Sequence, residues 1–206
     1  MNEPQGRTVF VVDDDAAVRD SILELVESVG LEGEGYASAQ AFLDAFRAER
    51  RGCVVTDVRM AEMSGLVLQQ RLIALGATLP VIVLTGHGDV PMAVQALKAG
   101  AVDFIQKPYR DQALLDSINE ALTSDADARR TEAREVAFER CLTELTDREK
   151  EVLDHLLTGA TSKEIARALA ISPRTVDAHR RNLFRKFGVG SAMELVQLSA
   201  ASREAD

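Results

Sequence analysis

The chain has 206 residues, of which 46% are hydrophobic and 28% charged, a composition typical of globular proteins. Its apolar runs are only a few residues long, so we expect no transmembrane helix and no membrane contact. The N-terminus lacks the basic and apolar regions of a secretory signal, and a cytoplasmic location is therefore the default prediction. Cys53 and Cys141 lie far apart and form no CxxC pair, which argues against a zinc site or a thioredoxin-like redox site.

The net charge of −9 is unevenly distributed along the chain. Residues 1–125 contain 19 acidic and 10 basic residues, whereas residues 143–206 contain ten of each. Within the second segment, residues 161–190 contain seven basic residues and two acidic ones. This asymmetry predicts two domains with different partners, the second of which could bind a polyanion.

Short apolar runs alternate with helical patterns over the first 125 residues. The predicted strands lie at residues 8–12, 31–36, 53–56, 80–84 and 102–105. The predicted helices lie at residues 18–29, 39–48 (with Ser38 as N-cap), 66–74 and 90–99, and a last amphipathic helix carries Leu114 to Leu122. The alternation predicts βαβ units around a five-stranded parallel sheet, which is a doubly wound α/β fold.

Polar side chains follow four of the predicted strands at their carboxyl ends. They are Asp13, Asp14, Asp57, Thr85 and Lys107. In an open parallel sheet these ends meet at one edge, where ligands bind. Three carboxylates at one edge require a cation, and hard oxygen ligands suit Mg²⁺. Each residue alone could instead cap a helix or fill a turn.

This arrangement favours phosphoryl chemistry at Asp57. Held beside a divalent cation and an ammonium group, Asp57 could attack a phosphoryl group and form an acyl phosphate. Thr85 could donate a hydrogen bond to one phosphoryl oxygen, and Lys107 could neutralise another.

The runs VFVVDDD, VVTDVRM and VIVLTGHGDVPMAVQALKAGAVDFIQKP resemble the receiver domain of two-component response regulators, and the last is similar to the FixJ-type branch. The resemblance covers about residues 8–122 and implies a flavodoxin-like fold with phosphoryl transfer from a sensor histidine kinase to Asp57. It also implies that Asp14, Asp57 and the backbone carbonyl of Arg59 ligate Mg²⁺, and that Asp13 holds a metal-bound water.

The same resemblance assigns a switch pair and reveals one departure from the family pattern. Thr85 and Phe104 form the implied switch: the hydroxyl moves to the phosphoryl group and the aromatic ring turns inward. Ala61 stands where the family usually has Pro, and we expect the loop beside the metal to be more mobile as a result. His87 could tune access to the phosphorylation site or simply fill its loop.

Residues 125–142 are rich in Ala, Arg and Glu and contain neither Gly nor Pro, which predicts a helical connector. Its partial apolar stripe leaves open both a coiled-coil dimerisation seam and a solvated spacer helix. We therefore predict a first domain at residues 1–124, a linker at 125–142 and a second domain at 143–206.

Four helices are predicted in the second domain, at residues 145–157, 161–170, 174–187 and 191–199. Thr146 and Glu149 form a capping box at the start of the first. Ser172 is the predicted N-cap of the third, and Pro173 stands at its first position, where Pro is favoured. Two short helices joined by a tight turn, the second of them basic, are typical of a DNA-binding helix-turn-helix.

The third of these helices has two faces by its 3.6-residue period. Val176, Leu183 and Phe187 lie on the predicted core side. The opposite stripe contains Arg174, Ala178, Arg181 and Arg185. Guanidinium groups on such a stripe can pair with phosphates or read guanine edges. A solvated basic face is the alternative.

The run LTDREKEVLDHLLTGATSKEIARALAISPRTVDAHRRNLFRKFGVGSAMELV resembles the LuxR-type four-helix DNA-binding domain and covers about residues 142–198. The implied base-contacting residues are Asp177, Ala178 and Arg181. The implied phosphate-contacting residues are Lys163, Arg174, Thr175 and Lys186. Asp177 stands where many relatives have a basic or neutral residue, so we expect it to change the preferred DNA sequence.

Together the two resemblances identify the chain as a response regulator that controls transcription. Phosphorylation on Asp57 is expected to promote a homodimer that binds double-stranded promoter DNA. The predicted dimer face combines the helix at residues 90–99 with the strand at 102–105. RNA polymerase is a further candidate partner.

Two other functional classes fit the sequence less well. An enzyme with an aspartyl-phosphate intermediate would carry a second acid two residues after the nucleophile, where this chain has Arg59, so we predict that the chain is not an enzyme. A constitutive DNA-binding protein would not need the complete set of strand-end residues around Asp57.

Overall fold

The computed structural model describes residues 8–86, 98 and 100–201. They form two compact units, and the chain passes from the first to the second between Asp127 and Ala128. The predicted helix at residues 90–99, and His87 with it, fall outside the described residues apart from Lys98. No helix in the described ranges is both long and apolar enough to cross a membrane.

A five-stranded parallel sheet with the order β2-β1-β3-β4-β5 forms the centre of the first unit. Its strands are β1 (Thr8–Val12), β2 (Glu32–Tyr36), β3 (Gly52–Asp57), β4 (Val81–Thr85) and β5 (Asp103–Gln106). The predicted strands are confirmed, each within one residue at either end. The central strands β1, β3 and β4 are almost entirely buried, which explains their continuous apolar runs.

Helices cover both faces of the sheet. They are α1 (Ala16–Ser28), α2 (Ala39–Ala45), α3 (Gly65–Ala74) and the first part of α4 (Asp111–Thr143). Ile22 of α1 and Leu114 of α4 pack against Val9 and Val55 on one face, whereas Phe42 of α2 and Leu68 of α3 pack on the other. This confirms the doubly wound α/β fold, because successive strand residues point to opposite faces.

Helix α2 is shorter than predicted. Its N-cap is Ser38 as expected, since the Ser38 hydroxyl accepts the Ala41 N–H at 3.1 Å. The helix ends at Ala45 rather than at residue 48, because Phe46 adopts an extended conformation (φ −64°, ψ 139°). The Arg47 guanidinium then donates to the backbone carbonyls of Asp44 and Phe46 and satisfies acceptors left by the last turn.

The second unit is helical. After the end of α4 come α5 (Asp147–Leu157), α6 (Ser162–Ala168), α7 (Pro173–Phe187) and α8 (Ala192–Ala201), which confirms the four predicted helices. Their buried apolar side chains form one core that includes Val152, Ile165, Leu183 and Leu195. Phe138 of α4 joins this core by stacking on Phe187, with ring centroids 5.0 Å apart.

Side-chain caps start three helices of the second unit. The predicted capping box of Thr146 and Glu149 is present on α5. A second capping box, formed by Thr161 and Glu164, starts α6, so Thr161 caps this helix rather than forming its first turn as predicted. The hydroxyl of Ser172 accepts the Thr175 N–H at 3.1 Å and caps α7, where Pro173 occupies the first position as predicted.

Candidate functional site

The carboxyl edge of the sheet brings predicted site residues from three strands together. The Lys107 ammonium, just after β5, donates to Asp57 Oδ1 at 2.6 Å and to Asp13 Oδ2 at 3.1 Å. Both acids are buried, Asp13 with 2% and Asp57 with 9% of its surface exposed. Asp57 is the last residue of β3 rather than the residue after it, so the rigid strand fixes its backbone.

The loop that follows β3 contacts two of the acids through backbone amides. Arg59 N–H donates to Asp57 Oδ2 at 2.6 Å, and Ala61 N–H donates to Asp14 Oδ2 at 2.9 Å. Asp14 itself is exposed. The start of α3 closes tightly on this loop, because a Cβ atom at Gly65 would lie 2.3 Å from the backbone oxygen of Asp57.

Burial and ion pairing act against each other at this cluster. Burial raises the pKa of Asp13, and the opposing hydrogen bonds from Asp15 N–H and Lys107 do not cancel that effect. Burial alone would lower the pKa of Lys107, but hydrogen bonds to Asp57 and Asp13 outweigh it and raise that pKa. One ammonium is thus shared between two buried carboxyl groups at this edge.

The cluster suits a hard divalent cation by its donor chemistry. As the side chains stand, the described part of the chain contains no group of three or more Asp, Glu, His or Cys residues arranged to hold a metal. Mg²⁺ needs only one or two carboxylates because it keeps several waters. Asp14, Asp57 and the Arg59 carbonyl are oxygen donors of the required kind.

The predicted switch residues lie on one face of the sheet. Thr85 ends β4 with 1% of its surface exposed, and its carbonyl accepts the Lys107 N–H at 2.6 Å. Phe104 of β5 stands opposite Val83 of β4 in the parallel register. Because Val83 and Thr85 are two residues apart on one strand, Phe104 and Thr85 are diagonal neighbours on the same face.

Asp125 is a buried acid at the opposite end of β3 that the sequence did not single out. Only 3% of its surface is exposed, and it accepts the N–H of Gly52, the first residue of β3. Burial raises the pKa of Asp125 to about 6, although the Gly52 N–H and the Arg51 charge lower it. The sequence placed Asp125 at the start of the linker, where an acid looks like one of many solvated charges.

Helix α7 of the second unit presents the predicted polar stripe. Val176, Leu183 and Phe187 are buried, which confirms the predicted core face. The exposed residues of the predicted DNA-binding set are Lys163 on α6 and Arg174, Thr175, Asp177 and Arg181 on α7. Ala178 is half-buried on the same helix.

Two predicted DNA-contacting residues also have partners within the unit. Ser162 Oγ donates to Asp177 Oδ1 at 2.9 Å and accepts from Arg180 at 2.6 Å, which links α6 to α7. The Lys186 ammonium donates to Glu149 Oε2 at 2.7 Å and to the Glu144 carbonyl at 2.9 Å. The Lys186 side chain is only 24% exposed, so its predicted phosphate contact would have to form alongside this internal ion pair.

Comparison with known proteins assigns both units to families. Residues 9–119 match the response regulator receiver domain, and residues 143–199 match the luxR family of bacterial regulatory proteins. The chain is 45% identical to the transcriptional regulatory protein FixJ of Azorhizobium caulinodans, over 95% of this chain and 93% of that protein. It is 47% identical to the transcriptional regulatory protein TdiR of Thauera aromatica, over 92% of this chain and 83% of that protein.

Solved structures give the same result. The response regulator StyR matches with a TM-score of 0.80 and 42% identity, covering 94% of this chain and 98% of that one. Full-length FixJ from B. japonicum matches with a TM-score of 0.61 and 40% identity, covering 97% and 98%. The chain thus belongs to the FixJ type of two-component response regulators, in which a receiver domain is joined to a LuxR-type DNA-binding domain.

Proposed function

We propose that Asp57 accepts a phosphoryl group from a sensor histidine kinase, and that the phosphorylated chain forms a homodimer that binds promoter DNA. One observation carries the first half: the Lys107 ammonium bridges Asp57 and Asp13, with nitrogen–oxygen distances of 2.6 and 3.1 Å. A buried nucleophilic carboxylate beside a fixed cation, at the carboxyl edge of a parallel sheet, is suited to receive a phosphoryl group.

The transfer is a displacement at phosphorus. A carboxylate oxygen of Asp57 forms the new O–P bond while the bond from phosphorus to the kinase imidazole nitrogen breaks, and that nitrogen keeps the electron pair. Lys107 and the Thr85 hydroxyl stabilise the charge on the phosphoryl oxygens. Asp14, Asp57 and the Arg59 carbonyl would hold Mg²⁺, and Asp13 would hold a water beside it; the cation would supply further charge neutralisation.

Phosphorylation then changes the conformation of residues on β4 and β5. Movement of the Thr85 hydroxyl towards the phosphoryl group opens space on the face that Thr85 shares with Phe104, and the ring turns inward. This shifts a two-state equilibrium towards a homodimer. The segment at residues 90–99, together with the strand at 102–105, stays our predicted dimer contact.

The second unit would read DNA with α7. Arg174 and Arg181 are exposed on it, and Lys163 is exposed at the start of α6. A dimer would engage two half-sites about one helical turn apart. We further propose RNA polymerase as a partner at the promoter and a cytoplasmic location. An enzymatic role is disfavoured because Arg59 replaces the second acid that aspartyl-phosphate hydrolases use.

Acetyl phosphate tests the first half of the proposal. With Mg²⁺, the wild type is expected to gain acid-labile phosphate, to double in size on gel filtration and to tighten on DNA, whereas Asp57→Asn does none of these. Asp20→Asn removes an exposed acid of α1 and serves as the matched control. Equal phosphate in Asp57→Asn and wild type would exclude Asp57 as the acceptor. Tight DNA binding that ignores phosphate would favour a constitutive DNA-binding protein instead.

A matched pair of lysines tests the DNA surface. The probe is a duplex selected from a random pool by the phosphorylated wild type, followed by fluorescence anisotropy at several salt concentrations. Lys163→Ala is expected to reduce the slope of log K against log salt by about one, as the loss of one phosphate contact would. Lys150→Ala removes an exposed charge from α5 and should leave the slope unchanged. Equal slopes for the two variants would reject the assigned surface.

A further inference from the structure

Two acids at the carboxyl ends of different strands accept hydrogen bonds from backbone amides of the same loop. Asp57 ends β3 and accepts from Arg59 N–H, while Asp14 follows β1 and accepts from Ala61 N–H across 47 positions of sequence. The two donors, Arg59 and Ala61, are only two positions apart in the loop, so one short stretch of backbone contacts both carboxylates. We propose that the Ala61 N–H is a positioning group that orients Asp14 for a divalent cation and thereby sets the cation affinity of the site.

Asp14 needs such a group more than its neighbours do. Lys107 fixes Asp13 and Asp57 from the side of β5, but within the described ranges the side chain of Asp14 has Ala61 as its one partner. Asp14 is exposed, so without the amide its carboxylate would sample several rotamers in water. A carboxylate that must become ordered when the cation binds lowers the affinity of the site for that cation, whereas one that is already ordered does not.

The atoms involved leave room for both partners. The amide uses Asp14 Oδ2, and a carboxylate oxygen has a second lone pair, while Oδ1 stays available for a cation. Hydrogen bonds from outer groups to ligating carboxylates are a general feature of metal sites, and their loss weakens metal binding. Ala61 can act in this way because it keeps its backbone N–H, a donor that proline lacks.

The inference rests on the proposed function, since it assumes that Asp14 and Asp57 hold Mg²⁺. The test removes the N–H donor by replacing Ala61 with lactic acid, so that an ester takes the place of the amide in the full chain. Mg²⁺ is titrated by calorimetry and by tyrosine fluorescence. Tyr109 is a suitable reporter. Burial is the main cause of its raised pKa, and the charges of Lys107 and Asp13 also act on it, so its side chain lies within electrostatic reach of the cluster.

We expect the ester to weaken Mg²⁺ binding by roughly threefold to tenfold, as the loss of one ordinary hydrogen bond would. Ala61→Ser keeps the N–H and is expected to match the wild type. An ester protein that binds Mg²⁺ as tightly as the wild type, or more tightly, would overturn the inference and leave the proposed function intact. If the wild type shows no saturable Mg²⁺ binding, both the inference and the proposed function are refuted.

Discussion

Replacing Glu149 by alanine is expected to destabilise the second unit and leave the first unchanged. One oxygen of this carboxylate, Oε2, accepts from Thr146 N–H and Thr146 Oγ, each at 3.0 Å, and from the Lys186 ammonium at 2.7 Å. Only 4% of the residue is exposed. The variant therefore removes half of the α5 capping box and leaves the Lys186 ammonium near a helix start without its carboxylate.

The magnitude follows from these contacts. Breaking a buried ion pair by removing one partner costs about 3–5 kcal/mol, and the partial exposure of Lys186 reduces that to about 2–3 kcal/mol here. For a unit of this size the loss corresponds to a fall in Tm of roughly 10 °C or more. Glu149→Gln keeps an oxygen acceptor for Thr146 and should cost about 1 kcal/mol.

The stabilisation by Glu149 also has a predictable pH dependence. Burial would raise the pKa of Glu149, but hydrogen bonds from Lys186 and Thr146 outweigh it, so this pKa is lowered in the folded state. The stabilisation is therefore complete above the ordinary value of 4.5 and is lost as the pH falls through the lower folded value. The difference in stability between the wild type and Glu149→Ala should shrink in acid.

The chain offers an internal control for the assay. It contains no tryptophan, and both tyrosines, Tyr36 and Tyr109, belong to the first unit. Calorimetry of the full chain should show the shifted transition, whereas tyrosine fluorescence should report unchanged unfolding of the first unit. Glu164→Ala is the matched variant, because Glu164 forms the same capping box on α6 at an exposed position, and its effect should be smaller.

Two results would refute the reasoning about Glu149. One is a loss of less than about 0.5 kcal/mol in Glu149→Ala, which is the range of ordinary surface substitutions. The other is strict additivity of Glu149→Gln and Lys186→Met in the double variant, because a real ion pair must give a coupling energy.

Three further outcomes are expected. Gly65→Ala should slow phosphorylation by acetyl phosphate, because its Cβ would lie 2.3 Å from the Asp57 backbone oxygen and must displace that strand end; an unchanged rate would contradict this. The free energy of unfolding of the first unit should contain a term of about 3 kcal/mol that is present below pH 4 and lost by about pH 6, because burial raises the pKa of Asp125. Denaturant titrations of Asp125→Asn, followed by tyrosine fluorescence, should lack this term. Ser172→Ala should destabilise the second unit by about 1 kcal/mol through loss of the α7 cap, measured by calorimetry, whereas Ser172→Asn should retain most of the stability.

Much of the fold could be predicted from the sequence because its signals are local. A run such as PVIVL predicts a buried strand because it is short and rich in β-branched residues, and the pattern around Ser172 and Pro173 fixes a helix start within a few residues. The meeting of Asp13, Asp57 and Lys107 followed from one further rule, that parallel strands gather their carboxyl ends at one edge. The end of α2 was missed because the Arg47 contacts that replace its last turn leave no pattern in the residues before it.

The contacts that escaped prediction join residues distant in sequence or use the backbone. Lys186 belongs to a basic stripe by its helical spacing, yet its ammonium lies against Glu149, 37 positions earlier. In the sequence, Asp125 is one of several charges in an Ala- and Glu-rich run, and only the structure shows that it accepts a hydrogen bond from the Gly52 N–H. The Ala61 N–H could not be found from side-chain chemistry at all, since every residue except proline carries the same donor.

The parallel register of the sheet has a consequence for how the chain folds. Pairing of β1 with β3 joins Thr8 to Gly52. This pairing can form only after the chain between the two strands has been synthesised and has crossed over the sheet. Helices α5 to α8 instead assemble from contacts within one short stretch and carry their own start signals. Because folding rates fall as contacts become less local, the receiver half should fold more slowly than the DNA-binding half even though the ribosome releases it first. In a newly made chain, the central strands of the receiver would then stay unpaired, and prone to aggregation, after the DNA-binding half has folded.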